Sequence, residues 1–153
     1  MATLKLTIKE ELTLNGVEQG GEYVKSQTVT QLYKRIVTCP ASSDTTIATF
    51  QTLTSTSDNA LDLEDVKYIR VTNLDTANPI NLSLQIAGAE GGTANMSTTI
   101  LVEAGRSFLM GTIHDGIATS DANATIVTAL TDLESLLVDP SANAVTVEVF
   151  IAS

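Results

Sequence analysis

The sequence predicts an all-β domain: an antiparallel β-sandwich of about ten short strands, with a jelly roll as one arrangement open to it. Three observations lead there. Thr, Val and Ile number 23, 12 and 11 of the 153 residues, and β-branched side chains suit a pleated surface better than a helix. Several segments alternate apolar and polar residues with the period of two that a half-buried strand requires. Turn signals punctuate them, and no Pro-rich or Gly/Ser-rich linker and no internal repeat divides the chain. Residues 1–153 therefore read as one domain, with enough apolar residues (43%) for a core.

The first strand falls at Thr3–Ile8, with Leu4, Leu6 and Ile8 on one face and Thr3, Lys5 and Thr7 on the other. A short run, Leu12–Leu14, meets Asn15-Gly16, a pair that accepts positive φ at both central positions of a tight turn. Gly20-Gly21 marks another bend. Residues 29–40 read as a strand that stops before Pro40, and residues 45–53 as the next, with Ile47 and Phe50 out of strict phase. Residues 55–65 are a polar connection.

The most regular stretch is "VKYIRVTNLDTANPINLSLQIAG", 66–88. Its two alternating runs predict an antiparallel hairpin in which Val71 faces Leu82 and Ile69 faces Leu84, around a loop of Asp75-Thr76-Ala77-Asn78. Tyr68, Arg70 and Gln85 then share the opposite, polar face. Residues 88–95 read as a loop, and Ser97–Glu103 and Ser107–Met110 as strands joined through Ala104-Gly105. Residues 111–124 are loop-like. Over 125–139, Ile126, Leu130, Leu133 and Leu137 fit a helix face while the β-branched residues favour extended chain. The expectation is a short helical turn, then a strand near Ser135–Asp139. A final strand places Val145, Val147, Val149 and Ile151 on one face. The expected core is Ile69, Val71, Leu82, Leu84, Val145, Val147 and Val149.

A net charge of −10 excludes a general nucleic-acid binder, which needs a basic stripe for phosphates, and opposes docking on an anionic membrane. The charge is uneven. Residues 1–39 hold Lys5, Lys9, Lys25, Lys34 and Arg35 against four acids, whereas no Lys or Arg follows Arg106 and six acids do. Such a head and tail can pair within one fold or between neighbouring copies. No apolar run approaches the ~20 residues of a membrane span, and the N-terminus has no signal-like stretch. A chain made and folded in a reducing cytoplasm is expected.

Chemistry is sparse. The one histidine, His114, neighbours Asp115, but adjacent residues on extended chain point to opposite sides. One His and one Cys cannot form a dedicated zinc site. Nucleophile-elbow, P-loop, metalloprotease and dinucleotide signatures are absent from the sequence. The oxygen-rich loops "SDNALDLED" and "HDGIATSDAN" lack EF-hand spacing and read as solvated loops. Cys39, at a strand end, reads as a buried inert thiol. No cofactor, metal site or catalytic residue is expected. Residue type and placement make Lys5, Lys9, Tyr68, Arg70 and Gln85 the candidate partner contacts.

Four segments, "LYKRIVTCPASSDTTIATF" (32–50), "KYIRVTNLD" (67–75), "VEAGRSFLMG" (102–111) and "VTVEVFIAS" (145–153), resemble small virion structural proteins of tailed bacterial viruses. The resemblance runs loosely over residues 3–152 and rests on strand patterns. It implies a non-enzymatic virion protein: most directly a capsid decoration (cement) protein on the shell surface, alternatively a fibre or receptor- or carbohydrate-binding module. It implies the major capsid protein as partner and a homo-oligomer, with a trimer fitting the local three-fold positions of a shell.

Overall fold

The computed structural model describes residues 2–51, 61–62, 65–86, 96–111, 118–119 and 131–153. These residues form an all-β sandwich, and no α-helix occurs among them. The strands are β1 (Ala2–Lys9), β2 (Thr13–Leu14), β3 (Val17–Glu18), β4 (Glu22–Val29), β5 (Leu32–Cys39), β6 (Thr45–Gln51), β7 (Leu61–Asp62), β8 (Tyr68–Asn73), β9 (Ile80–Ile86), β10 (Met96–Val102), β11 (Ser107–Met110), β12 (Ala118–Thr119), β13 (Thr131–Asp139) and β14 (Val145–Ala152).

One sheet has the order β11-β8-β14-β5, the other β10-β9-β13-β6-β7 with β12 beside β13. All pairs are antiparallel except β6 with β7. The nesting defines the topology. β5 pairs with β14, β6 with β13, β8 with β11 and β9 with β10. Early strands thus meet late ones, as in a long hairpin rolled upon itself, which is the jelly roll.

Alternating residues of both sheets meet in one core. All seven expected core residues are buried, as are Ile47, Ile80, Leu133, Leu136, Val138 and Ile151. Phase explains β6: Ile47 and Ala48 are both buried, and the register of β13 against β6 shifts between Leu136 and Leu137. An irregularity of this kind lets consecutive side chains turn inward. Cys39 is a free, fully buried thiol.

The expected hairpin of residues 66–88 does not form. β8 and β9 lie in opposite sheets, so Val71 and Leu82 approach across the core rather than across a ladder. A hairpin and an arch between sheets bury the same alternate residues, so alternation does not distinguish them. β10 and β11 are likewise split between the sheets, with Gly105 at φ +68° in the connection. The expected helical turn gives way, from Thr131 onward, to the nine-residue strand β13. Its central place between β9 and β6 requires extended backbone to complete two ladders. Residues 125–130, the His114-Asp115 pair and most of both oxygen-rich loops lie outside the described residues.

Four crossings gather at one end: 40–44, 74–79, 103–106 and 140–144. Asn73, fully buried, joins two of them, 74–79 and 103–106. Its Nδ2 donates to Asn78 O (2.9 Å) and Val102 O (3.2 Å), and its Oδ1 accepts from Asp75 N (3.0 Å). Asp75 Oδ1 in turn accepts from Ala77 N (2.8 Å) and Asn78 N (2.7 Å), and these amides hold its carboxyl below the usual range. Crossings 40–44 and 140–144 dock directly, Ser42 N donating to Ser141 O at 2.6 Å. Leu82→Ala should cost about 2–5 kcal/mol and Asn73→Leu about 1–3 kcal/mol or more through orphaned partners. Leu101→Ala, at an exposed position, should stay within about 0.5 kcal/mol. Urea denaturation of the three variants checks this ranking.

Candidate functional site: an apolar arm and two sheet faces

β1 and β4 pair along eight residues, Ala2 with Val29 through Lys9 with Glu22, in a two-stranded ribbon separate from both sheets. At about 3.3 Å per residue such a ribbon reaches about 26 Å. It ends in a small hairpin, β2 with β3, turning at Asn15 (φ 52°) and Gly16 (φ 78°) as the Asn-Gly pair predicts.

The register puts Leu4, Leu6 and Ile8 on one face with Gln27, Lys25 and Tyr23. The base of that face is anchored. Leu4 and Leu6 pack with Val29, Tyr68, Phe150 and Ala152, and Thr30 N and Gln31 N donate to Ser153 O. Farther out the arm loses its support: Ile8 and Tyr23 on that face, Val24 on the opposite one, and Leu12, Leu14 and Val17 at the tip are all exposed. They are six of the eleven exposed large hydrophobic residues among those described, so exposed apolar surface is concentrated on the arm.

The tip is nevertheless held in shape by Glu18. Its Oε1 accepts from Gly20 N (2.7 Å) and Leu12 N (3.0 Å), and its Oε2 accepts from Thr13 Oγ1 (3.2 Å). The Gly20 and Leu12 amides lower its pKa. Gly20 is obligatory here, since a Cβ would collide with the Glu10 carbonyl.

Beneath the arm base lies the outer face of the four-stranded sheet. Its register sets Leu109, Arg70, Phe150 and Lys34 in one row and Ser107, Thr72, Glu148 and Ile36 in the next. Arg70 pairs with Glu148 and lies over the Phe150 ring (5.6 Å), and Lys34 Nζ is 3.5 Å from Glu148. Tyr68 meets Phe150 edge-to-face at 6.1 Å, and burial pushes its phenol pKa up, opposed by Arg70. The Lys34–Glu148 pair joins the basic head to the acidic tail within one fold. Leu32, Ile36 and Leu109 remain exposed on this face.

Of the candidate contacts, Tyr68 and Arg70 therefore sit together under the arm base. Lys5 and Lys9 lie on the arm's opposite face, Lys9 paired with Glu11. Gln85 lies on the other sheet, in a polar groove of about 350 Å³ lined by Asn81, Ser83, Ser97, Thr99, Asp139 and Asp44 among others. Alternation alone placed Tyr68, Arg70 and Gln85 on one surface. The exposed tip residues Leu12, Leu14 and Val17 were missed, although their apolar character around an Asn-Gly turn marked them. Among the described residues no cluster of His, Cys, Asp and Glu could hold a metal. Burial raises the Cys39 pKa, opposed by a hydrogen bond with Thr45, which disfavours a reactive thiolate.

No known protein family, curated protein or solved structure matches the chain.

Because the Glu18 pKa is lowered in the folded arm, its contribution is present above the ordinary carboxylate pKa and is lost as pH falls through the lowered value. Glu18→Ala should speed exchange of the Leu12 and Gly20 amide hydrogens while leaving β14 amides unchanged. Acidification of the wild type should have the same local effect.

Proposed function

We propose that this chain is a non-enzymatic structural protein of a tailed bacterial virus, a decoration (cement) protein that binds the assembled shell through the major capsid protein and stabilises it. It works as a homo-oligomer, a trimer fitting local three-fold positions. The observation that carries this reading is the arm: a jelly roll that projects an ordered ribbon of exposed apolar residues. Solvent-exposed apolar surface concentrated on one projection marks an interaction site. Jelly rolls recur in viral capsid and lectin domains, a fold-level analogy that adds to the strand resemblance without fixing function. Many weak, symmetry-repeated contacts suit a small subunit that must stay soluble before assembly.

A second reading, a carbohydrate-binding module of a virion fibre, is favoured by the polar groove around Asn81, Ser83 and Gln85. The described groove residues include no aromatic platform, which places this reading second.

Mixing the purified chain with shells lacking it tests the proposal. Stoichiometric density on the shell exterior by electron microscopy, with shells that withstand higher temperature, is the expected result. Failure to bind shells, combined with glycan binding abolished by Asn81→Ala, would transfer the function to the second reading. A hydrolytic turnover lost in His114→Ala would overturn the non-enzymatic assignment.

A further inference from the structure

We propose that the acidic, apolar tip of the arm docks on the basic, apolar outer face beside edge strand β5 of a second copy of this chain. The inference rests on the proposed self-association and names its two surfaces.

The first support is a contact already made inside one subunit. The base of the arm's apolar face packs on the outer face of the four-stranded sheet, Leu4 and Leu6 against Tyr68 and Phe150. Beyond that contact the arm's face runs on through exposed Ile8 and Tyr23 to the tip, and both arm and sheet carry uncovered apolar residues. On the arm, Leu12, Leu14 and Val17 are 56–58% exposed; on the sheet, Leu32 and Ile36 are 59% and 65% exposed. The arm's own tip therefore does not close over its own sheet. Two surfaces whose adjoining halves already fit each other are left to be matched between copies.

The second support is charge. Residues 10–22 hold Glu10, Glu11, Glu18 and Glu22 and no Lys or Arg. The outer face of the sheet carries Lys34 and Arg70 against Glu148, one basic residue in excess, while Arg35 has the opposite parity, paired with Val149. In a chain of net charge −10, a net-basic face opposite an acidic tip makes the correct pairing attractive and tip-to-tip contact repulsive.

The third support is preorganisation. Glu18 fixes the tip through three hydrogen bonds, so little order has to be gained on docking. Donor and acceptor surfaces differ, so the interface is heterologous, and repetition closes a ring when the rotation allows.

Sedimentation equilibrium of the full chain at low salt tests this. The wild type should associate, and Leu14→Ser and Ile36→Ser should each weaken association about tenfold or more with unchanged melting temperature. Added salt should weaken it too. Glu10→Lys with Glu22→Lys should impair association, as should Lys34→Glu, and the three changes combined in one chain should restore it. A chain monomeric at roughly 100 µM, or an oligomer indifferent to both Leu14→Ser and Ile36→Ser, overturns the inference. So does a monomer in which Leu14→Ser abolishes shell binding, since the tip then docks on the shell. An oligomer that shows these effects but binds no shell upholds the inference and removes the decoration reading.

Discussion

The constraint on which the rest of the structure depends is the repeated crossing of the chain between sheets at one end of the sandwich. Four connections arch over the core there; Asn73 binds two of them together through its side-chain amide, and Asn143 ties a third to Asn78. Crossing loops expose backbone groups that no ladder satisfies, and burying them unpaired is costly. Asn73, Asp75 and the Ser42–Ser141 contact supply those partners. With the arches fixed, β8 is delivered beside β14 and β9 beside β13. The two inner faces then share one core of Val, Ile and Leu.

The outer faces inherit their character from the same arrangement. On the four-stranded sheet, the inward set of Ile69, Val71, Val147 and Val149 obliges Arg70, Glu148 and Phe150 to point outward. There they form an ion pair, a cation–π contact and the floor on which the arm base rests. On the other sheet the outward set is Asn81, Ser83 and Gln85, and the result is a polar groove. One fold thus offers an apolar-basic face and a polar face. This difference separates the two functional readings and gives the arm a chemically matched surface.

The arm departs from the economy of the body. A two-stranded ribbon is marginal alone, and this one is tethered at its base by Leu4, Leu6 and Val29 and at its tip by Glu18. Order without burial along its outer half is what a docking element requires. The small apolar residues of a solvated loop would need no such anchoring.

Much was legible in the sequence. Period-two alternation placed Ile69, Val71, Leu82, Leu84, Val145, Val147 and Val149 in the core because a strand has only two faces and one must be dry. Asn15-Gly16 specified its turn because few other pairs tolerate positive φ at both positions. Partner choice between strands was not legible: β8 and β9 alternate identically whether they pair side by side or face each other across a core. Only the arches, fixed by long-range hydrogen bonds such as Asn73 to Val102 and Asn143 to Asn78, decided it. That decision parted Gln85 from Tyr68 and Arg70. The helix-like spacing of Leu133 and Leu137 likewise yielded to β13's central position, where two neighbours require its backbone. Residue pattern sets which way side chains face; tertiary contacts, made far apart in sequence, set which strand lies beside which.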